Sequence, residues 1–532
     1  MKRLYIMLTV VAVAVVAVVA VVVKTKPDDR PPPNVLIVLW DTVRADHLTP
    51  YGYDKPTTPK LGQWADKHGV VFENALSPAM WTVPSHASMF TGLMATSHGA
   101  GYDWRWLDHH HTTVAEWFQK NGWATYAFSA NPNLSTGRVN LLQGFDHADL
   151  SWARQWKGKV NRNTRKKLLK KDRSTEISPA YRGGATSTFS YNAGPVTEEA
   201  FMKWLDKRAD PDQPWFVYLN YMEAHKPRVP SVQSRRKIAD DDTIRLGLAT
   251  DLTLKSQLEY SYYLKEYTEA ELKAVDAVYD ATLVDLDEAT ASLFAALRER
   301  EQFDNTIVVF TSDHGEALGE QHLFGHRHGV YQTLVHVPLI LSYPGVLEPG
   351  RVSERVSNLD IYSTVCDLAG IDKPETAMSR GDLFASAGQA LQSVFTESIS
   401  IDRLGWDKIR KWYPDNFDDD PRARMFKSVV AGDWKLILGS DGKKELYNLG
   451  EDPVEEKNLA ASEPVRLAEM EAQIEHWREG LVPYDPELRT EKDTPKVDSD
   501  MMKEQLKMLG YLSDDGEDEA ETSDEDELEF VP

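Results

Sequence analysis

The 532-residue chain is longer than one hydrophobic core normally organises, so two or three domains are expected from length alone. Its 42% hydrophobic content is that of a folded protein, and with a formal net charge of -23 nothing argues for a nucleic-acid partner, which wants a clustered basic surface. Cys366 is the single cysteine, which excludes an intramolecular disulfide and a thiolate metal site.

Leu4 to Val23 is apolar except for Tyr5 and Thr9, and its twenty residues suffice to cross a hydrocarbon core of ~30 Å. Lys2 and Arg3 precede the run, Lys24 and Lys26 follow it, and no small-residue cleavage signal separates it from Lys24. Residues 1–26 therefore read as an uncleaved signal anchor. A long domain after such a start is normally translocated, which predicts a membrane-anchored protein with its body in the periplasm or outside the cell. Residues 27–33, ending in three consecutive prolines, form a stiff spacer.

The body follows one grammar. Val35 to Leu39 is a short apolar run, β-branched at three positions, that reads as a buried parallel strand delivering Asp41 at its carboxyl end. Trp123–Ser129, Trp215–Tyr221 and Thr306–Thr311 read as further strands, each preceded by a helical segment: Val114–Asn121, Val196–Arg208 and Ala274–Arg300. Strands alternating with helices predict a doubly wound α/β sheet, whose ligands gather beyond the carboxyl ends of the strands. The polar residues at those ends are Asp41, Asn131, His225, Asp313 and His314. Within a catalytic domain spanning 34–425, residues 154–182 form a strongly basic insertion, either solvated or a docking surface for an anionic substrate or lipid headgroup. Trp434–Leu438 and Glu445–Leu449 flank a glycine-containing turn, which predicts a small antiparallel subdomain over 426–485. Residues 486–532 form an acidic tail expected to be disordered, with eleven acidic side chains after Ser513. Cys366 sits in an apolar helical pattern and is expected to be buried.

Hydrolysing a phosphate or sulfate ester at a hard cation needs oxygen ligands, an oxygen nucleophile beside them, and donors for the departing oxyanion. Thr311 Ser312 Asp313 His314 Gly315 Glu316 places an acid and an imidazole side by side on a turn after a strand, where with Asp41 they can face one metal. In Trp81 Thr82 Val83 Pro84 Ser85 His86, Pro84 suits the first turn of a helix. Thr82 then stands at the helix N-terminus, where backbone N–H groups favour an anion. A plain helix cap is the other role open to it.

On these residues a family resemblance becomes specific. Asn34–Gly52, NVLIVLWDTVRADHLTPYG, resembles the opening strand and first metal loop of the type I sulfatases, in the alkaline phosphatase superfamily. Thr82–Gly92, TVPSHASMFTG, resembles their signature, Phe303–Leu341 their second metal loop, and ELYNLGEDP their C-terminal hairpin. The resemblance implies an alkaline-phosphatase-like mixed sheet flanked by helices, with Asp41, Thr82, Asp313 and His314 around one divalent cation. It further implies that His225, His326 and His328 serve catalysis at the leaving group, and that Arg327, His86 and Asn131 contact substrate.

Thr82 departs from the family pattern, since it occupies the place of the cysteine or serine that is converted to formylglycine. A threonine nucleophile resembles instead the lipoteichoic-acid synthases and phosphoethanolamine transferases, which favours a phosphoester cleaved through a covalent threonine ester. A sulfatase in the strict sense, or a catalytically dead membrane-anchored binding protein, are the rival readings. One imidazole among oxygen donors brings manganese and zinc alongside calcium and magnesium. The partner expected is an anionic ester, whether a small molecule, glycan or lipid headgroup.

Overall fold

The computed structural model describes residues 30–494 except 136, 138, 169–191, 375–380, 385–392, 417–421 and 423. The expected anchor 1–26, residues 169–182 of the basic insertion and residues 495–532 of the acidic tail lie outside the described residues. Among the described residues no helix is long and apolar enough to cross a membrane.

In chain order the strands are β1 (Asn34–Trp40), β2 (Val70–Leu76), β3 (Ala124–Ser129), β4 (His147–Leu150), β5 (Trp215–Tyr221), β6 (Thr306–Thr311), the short β7 (Ala317–Leu318) and β8 (Phe324–Gly325), β9 (His336–Ser342) and β10 (Gly350–Ser357). All but β7 and β8 join one sheet in the order β10-β2-β9-β6-β1-β5-β3-β4. β1 pairs in parallel with β5 and β6, Val35 standing opposite Phe216 and Ile307. β9 runs antiparallel to both its neighbours, β2 and β6, which makes the sheet mixed as expected. Every residue of β1, β5 and β6 is buried. Apolar runs with no solvent-facing alternation can be hidden only in a sheet covered on both faces, so the sequence pattern dictates the layered architecture.

The helices that cover the sheet are anchored locally before they are packed. Glu269–Glu299 opens on a capping box between Thr268 and Glu271, and Val114–Lys120 on one between Thr113 and Glu116. The first of these lies along the sheet centre, where Trp40 Nε1 donates to Thr290 Oγ1 at 3.0 Å. The basic stretch Arg154–Leu168 is a helix, and Lys167 near its end pairs with Asp285 at 2.8 Å. Cys366 is buried in the helix Ile361–Ala369.

A second, antiparallel sheet follows, in the order β11 (Val394–Ser398), β12 (Phe426–Ala431), β13 (Trp434–Gly439) and β14 (Lys444–Asn448). The helix Pro464–Glu479 closes it through Met470 and Ile474, packed on Val429, Leu436 and Leu446. This sheet draws its first strand from before residue 426, so the stretch assigned to the catalytic domain contributes an edge to the C-terminal unit.

Candidate active site

The turns that leave the central strands deliver their polar side chains to one place. Asp41 follows β1, Asn131 lies just past β3, His225 follows β5, and Asp313 and His314 follow β6. Thr42 takes φ +60°, a left-handed conformation that bends the chain sharply after Asp41. Thr82 is the first residue of the helix Thr82–Thr91 and is fully buried, so the positive end of that helix faces the same point.

Gly315 is required where it stands. Its N–H donates to the Leu334 carbonyl at 2.7 Å, and a Cβ there would lie 2.1 Å from the Thr333 carbonyl oxygen. Gly315→Ala is expected to push the Asp313–His314 turn off the segment Gln332–Val335 and to lower stability by about 1–3 kcal/mol. Urea unfolding, with metal binding measured alongside, checks this.

Asp41, Asp313 and His314 offer ligand atoms that all lie within 4.8 Å of one another. Asp41 Oδ1 and Asp313 Oδ2 are buried without a hydrogen-bond partner, although His314 Nε2 stands 3.2 Å from Asp313 Oδ2. His314 Nδ1 donates to the Gly315 carbonyl at 2.9 Å, which leaves Nε2, 3.5 Å from Thr82 Oγ1, as the basic nitrogen of the neutral ring. Two unpartnered buried carboxylate oxygens and an imidazole lone pair fit a divalent cation. Asn131 Nδ2 donates to Asp41 Oδ2 at 2.6 Å and reaches Thr82 Oγ1 at 3.4 Å, tying the hydroxyl to the carboxylate.

The charges are mutually dependent. Burial, then the Asp313 charge, raise Asp41 well above the usual carboxylate range. Burial also opposes ionisation of Asp313, but His314 beside it holds that carboxyl low. His314 is lifted to about 9 against the effect of its burial by Asp313 and Asp41. A cation replacing the His314 proton would neutralise the same two acids.

The histidines proposed from sequence separate into two places. His225 and His326 lie with ring centroids 5.3 Å apart, and His326 lies 4.4 Å from His314. Burial pushes His225 down to about 3 and His326 down to about 4, so both rings are neutral until an anion lies against them. His225 Nδ1 donates to the Lys226 carbonyl at 2.6 Å, and His326 Nδ1 donates to Glu316 Oε1 at 3.2 Å, fixing both tautomers. His328 stands apart: its electrostatic neighbours are Asp402, Arg422, Arg327 and Arg424, and Nε2 is buried without a partner. Arg327 is ion-paired with Asp402.

His86, expected against substrate, lies beneath the Thr82 helix. Its Nδ1 lies 2.8 Å from the Thr82 carbonyl and its Nε2 2.7 Å from the Tyr218 hydroxyl. With both ring nitrogens engaged and no exposure, it braces the first turn of the Thr82 helix from beneath.

Three further groups enter the site that sequence reasoning did not single out. Asn220 reaches Asp41 Oδ2 at 3.5 Å, Glu316 bonds both His326 and Arg228 (Nη2 at 2.9 Å), and Lys226 donates to Gln257. Glu316 closes the quoted acid–imidazole motif, and Lys226 adjoins His225, so adjacency was the available signal.

The sulfatase family model matches residues 33–371, and that for the C-terminal part of N-sulphoglucosamine sulphohydrolase matches 319–479. Arylsulfatase K of Bos taurus is 26% identical over 453 residues, covering 81% of this chain and 79% of that protein. An arylsulfatase of Clostridium perfringens is 25% identical over 481 residues, covering 85% and 94%. Among solved structures, phosphonate monoester hydrolases of Silicibacter pomeroyi and Agrobacterium radiobacter superpose with TM-scores of 0.63 and 0.61 at 20% identity. They cover 85% and 84% of this chain, and 96% of each hydrolase.

Proposed function

This chain belongs to the sulfatase family, and we propose that it hydrolyses a phosphate ester through a covalent ester on Thr82, with the reaction dependent on one divalent metal ion. The observation that carries the reading is the convergence of the Thr82 hydroxyl with the His314 imidazole and the Asn131 amide, beside two carboxylates whose free oxygens lack partners. When bound, a divalent cation there would acidify the hydroxyl and offset charge on the ester oxygens.

The Thr82 hydroxyl gives its proton to solvent, and Oγ1 forms a bond to phosphorus while the bond from phosphorus to the leaving oxygen breaks; His225 or His326, protonated from solvent once the anionic ester lies against it, passes that proton to the leaving oxygen. Arg228 and Glu316 hold His326 in one tautomer for this exchange. In the second half, water attacks phosphorus, the same imidazole takes its proton, and the Thr82 oxygen departs and takes back a proton from solvent. Threonine carries a single oxygen on Cβ, so the ester is released only by attack at phosphorus or sulfur. The similarity to arylsulfatases supports a second reading, a sulfuric ester as substrate at the same residues. The apolar run Leu4–Val23 supports membrane anchorage, with the catalytic body outside the cytoplasm.

Purified full chain should be assayed on aryl phosphate, phosphodiester and aryl sulfate with calcium, magnesium, manganese and zinc, followed by trapping with labelled substrate. Phosphate turnover with label on Thr82 is expected. Turnover confined to aryl sulfate selects the second reading, and no turnover with no metal bound selects a binding protein.

Lys226 is expected to make substrate binding depend on pH. Burial pulls its ammonium down to about 7, although Glu316 opposes the shift. It is cationic below that pH and neutral above it, so KM for an anionic ester is expected to rise roughly tenfold as pH passes upward through 7. Lys226→Met should show the high KM throughout, with kcat changed less; KM against pH for both proteins checks this.

A further inference from the structure

The helix Arg154–Leu168 presents two unlike faces. Trp156, Val160 and Thr164, four residues apart, are buried against the domain, whereas Arg154, Gly158, Arg162 and Lys166, at the same spacing, form an exposed ridge. The helix holds seven cations and no acid, and no other described helix has more than three cations without one. On its flanks Lys159 is ion-paired with Glu199, and Lys167 with Asp285 at 2.8 Å.

The surroundings do not cancel this charge. Asp149 accepts the Gln155 amide at 2.9 Å and the Tyr126 hydroxyl at 3.0 Å. Glu223 meets the Lys167 charge, but burial holds its carboxyl above the usual range. Even with Glu223 ionised and Glu198 included, five acids face the seven cations of the helix together with Lys203, whose ammonium lies 5.1 Å from the centre of the Trp156 ring. The excess lies on the ridge, where Arg154, Arg162 and Lys166 have no acidic partner among the described residues. Cations repeated along one helix face are complementary to a run of carboxylates.

The chain itself supplies such a run. Residues 513–532 carry eleven acids and no base. The formal net charge of -23 divides into -11 on those residues, +7 on the helix and -19 on everything else, so the rest of the chain repels the tail and the helix attracts it. The described chain also ends on the side of the molecule from which the helix departs. Asp493 Oδ1 accepts the backbone and ring N–H groups of His109 at 2.8 and 2.7 Å. The segment around His109 is bonded in turn to the one that leads into β4 and the helix. Leu107 N–H donates to the Val139 carbonyl at 3.0 Å, and Gln143 Nε2 to the His111 carbonyl at 3.1 Å. Residues 495–512 reach at most roughly 60 Å, ample against a helix of about 22 Å.

We propose that residues 513–532 dock along this ridge of the same chain, with their carboxylates paired to Arg154, Arg162 and Lys166.

The full chain in dodecyl maltoside micelles should be treated with a zero-length carbodiimide, which joins a carboxylate to a lysine in contact with it. At about 10 mM salt, peptide mapping is expected to find residues 513–532 joined chiefly to Lys157 and Lys166. The yield should fall at least fivefold at about 1 M salt, where the Debye length shrinks from ~30 Å to ~3 Å. Links spread over lysines of other helices overturn the site. In a mixture of isotope-labelled and unlabelled chains the links should lie within single chains; links between the two kinds assign the ridge to the tail of a second copy and overturn docking within one chain.

A chain ending at Leu512 should then be titrated with a fluorescent peptide of residues 513–532. Binding is expected to be at least tenfold weaker when that chain also carries Arg154→Glu, Arg162→Glu and Lys166→Glu, and at least tenfold weaker to the full chain, whose own tail holds the ridge. Equal affinity in either comparison overturns the proposal. The three substituted side chains are exposed, so Tm should stay near that of the unsubstituted chain. Should the variant unfold, the cross-link map of the unsubstituted chain still decides. None of these readouts depends on ester turnover or on Thr82.

Discussion

Thr82→Ala is expected to lower kcat/KM by about 10³-fold or more, while leaving unfolding near its wild-type value. The magnitude follows from what the hydroxyl alone supplies. Thr82 Oγ1 lies 3.5 Å from His314 Nε2 and 3.4 Å from Asn131 Nδ2, a position from which it can lose a proton and meet the ester. Two serine hydroxyls on these turns are committed elsewhere: Ser85 donates to the Asp313 carbonyl at 2.6 Å, and Ser312 to the His314 carbonyl at 2.8 Å. Neither can replace it without breaking the turn that holds the acids. Thr82→Ser keeps the oxygen and loses one methyl group, so it should retain most of the activity and the covalent ester. Intact-mass measurement of each protein during turnover distinguishes the outcomes. A phosphate or sulfate adduct that persists in Thr82→Ala, or turnover unaffected by the change, would remove threonine from the chemistry.

The parts of this site legible in the sequence are those fixed by the backbone at the ends of buried strands. Val35–Leu39 and Thr306–Thr311 have no polar alternation, so their central place in a covered sheet was readable, and with it the convergence of Asp41 with Asp313 and His314. What could not be read is set by side-chain direction within a loop. His326, Arg327 and His328 are consecutive, yet His326 turns to Glu316 and His314 while Arg327 pairs with Asp402, more than seventy residues onward. Nothing in a run of three basic residues reveals which one points inward. The contacts of His86 were hidden for a related reason: its partner Tyr218 lies on β5, and a hydrogen bond between distant segments leaves no trace in local spacing. The antiparallel sheet was legible only as the hairpin of β13 and β14, because β11 joins it from across a long connection.

Metal binding is expected to stabilise the wild type, and Asp41→Asn to abolish that gain without destabilising the metal-free protein, which separates a cation site from a structural acid pair. Wild-type protein saturated to about a hundred times its dissociation constant should gain about 2.7 kcal/mol, seen as a rise in Tm that a chelator reverses together with activity. Affinity should increase with pH up to about 9, because the cation competes with the proton that the two acids keep on His314. Asp41→Asn removes one of two neighbouring buried acids yet keeps an oxygen to accept the Asn131 amide, so the metal-free variant should be no less stable than metal-free wild type. The folded-state pKa of Asp41 is raised above its ordinary 3.8, so its protonated form favours folding, and that contribution fades as pH rises through the folded value. Stability of the metal-free variant relative to metal-free wild type should therefore grow as pH climbs from 4. In the variant the metal-dependent gain in Tm and the activity should both disappear. If instead Asp41→Asn destabilises the metal-free protein and added cations stabilise both proteins equally, the acids are a structural pair and the cation binds elsewhere.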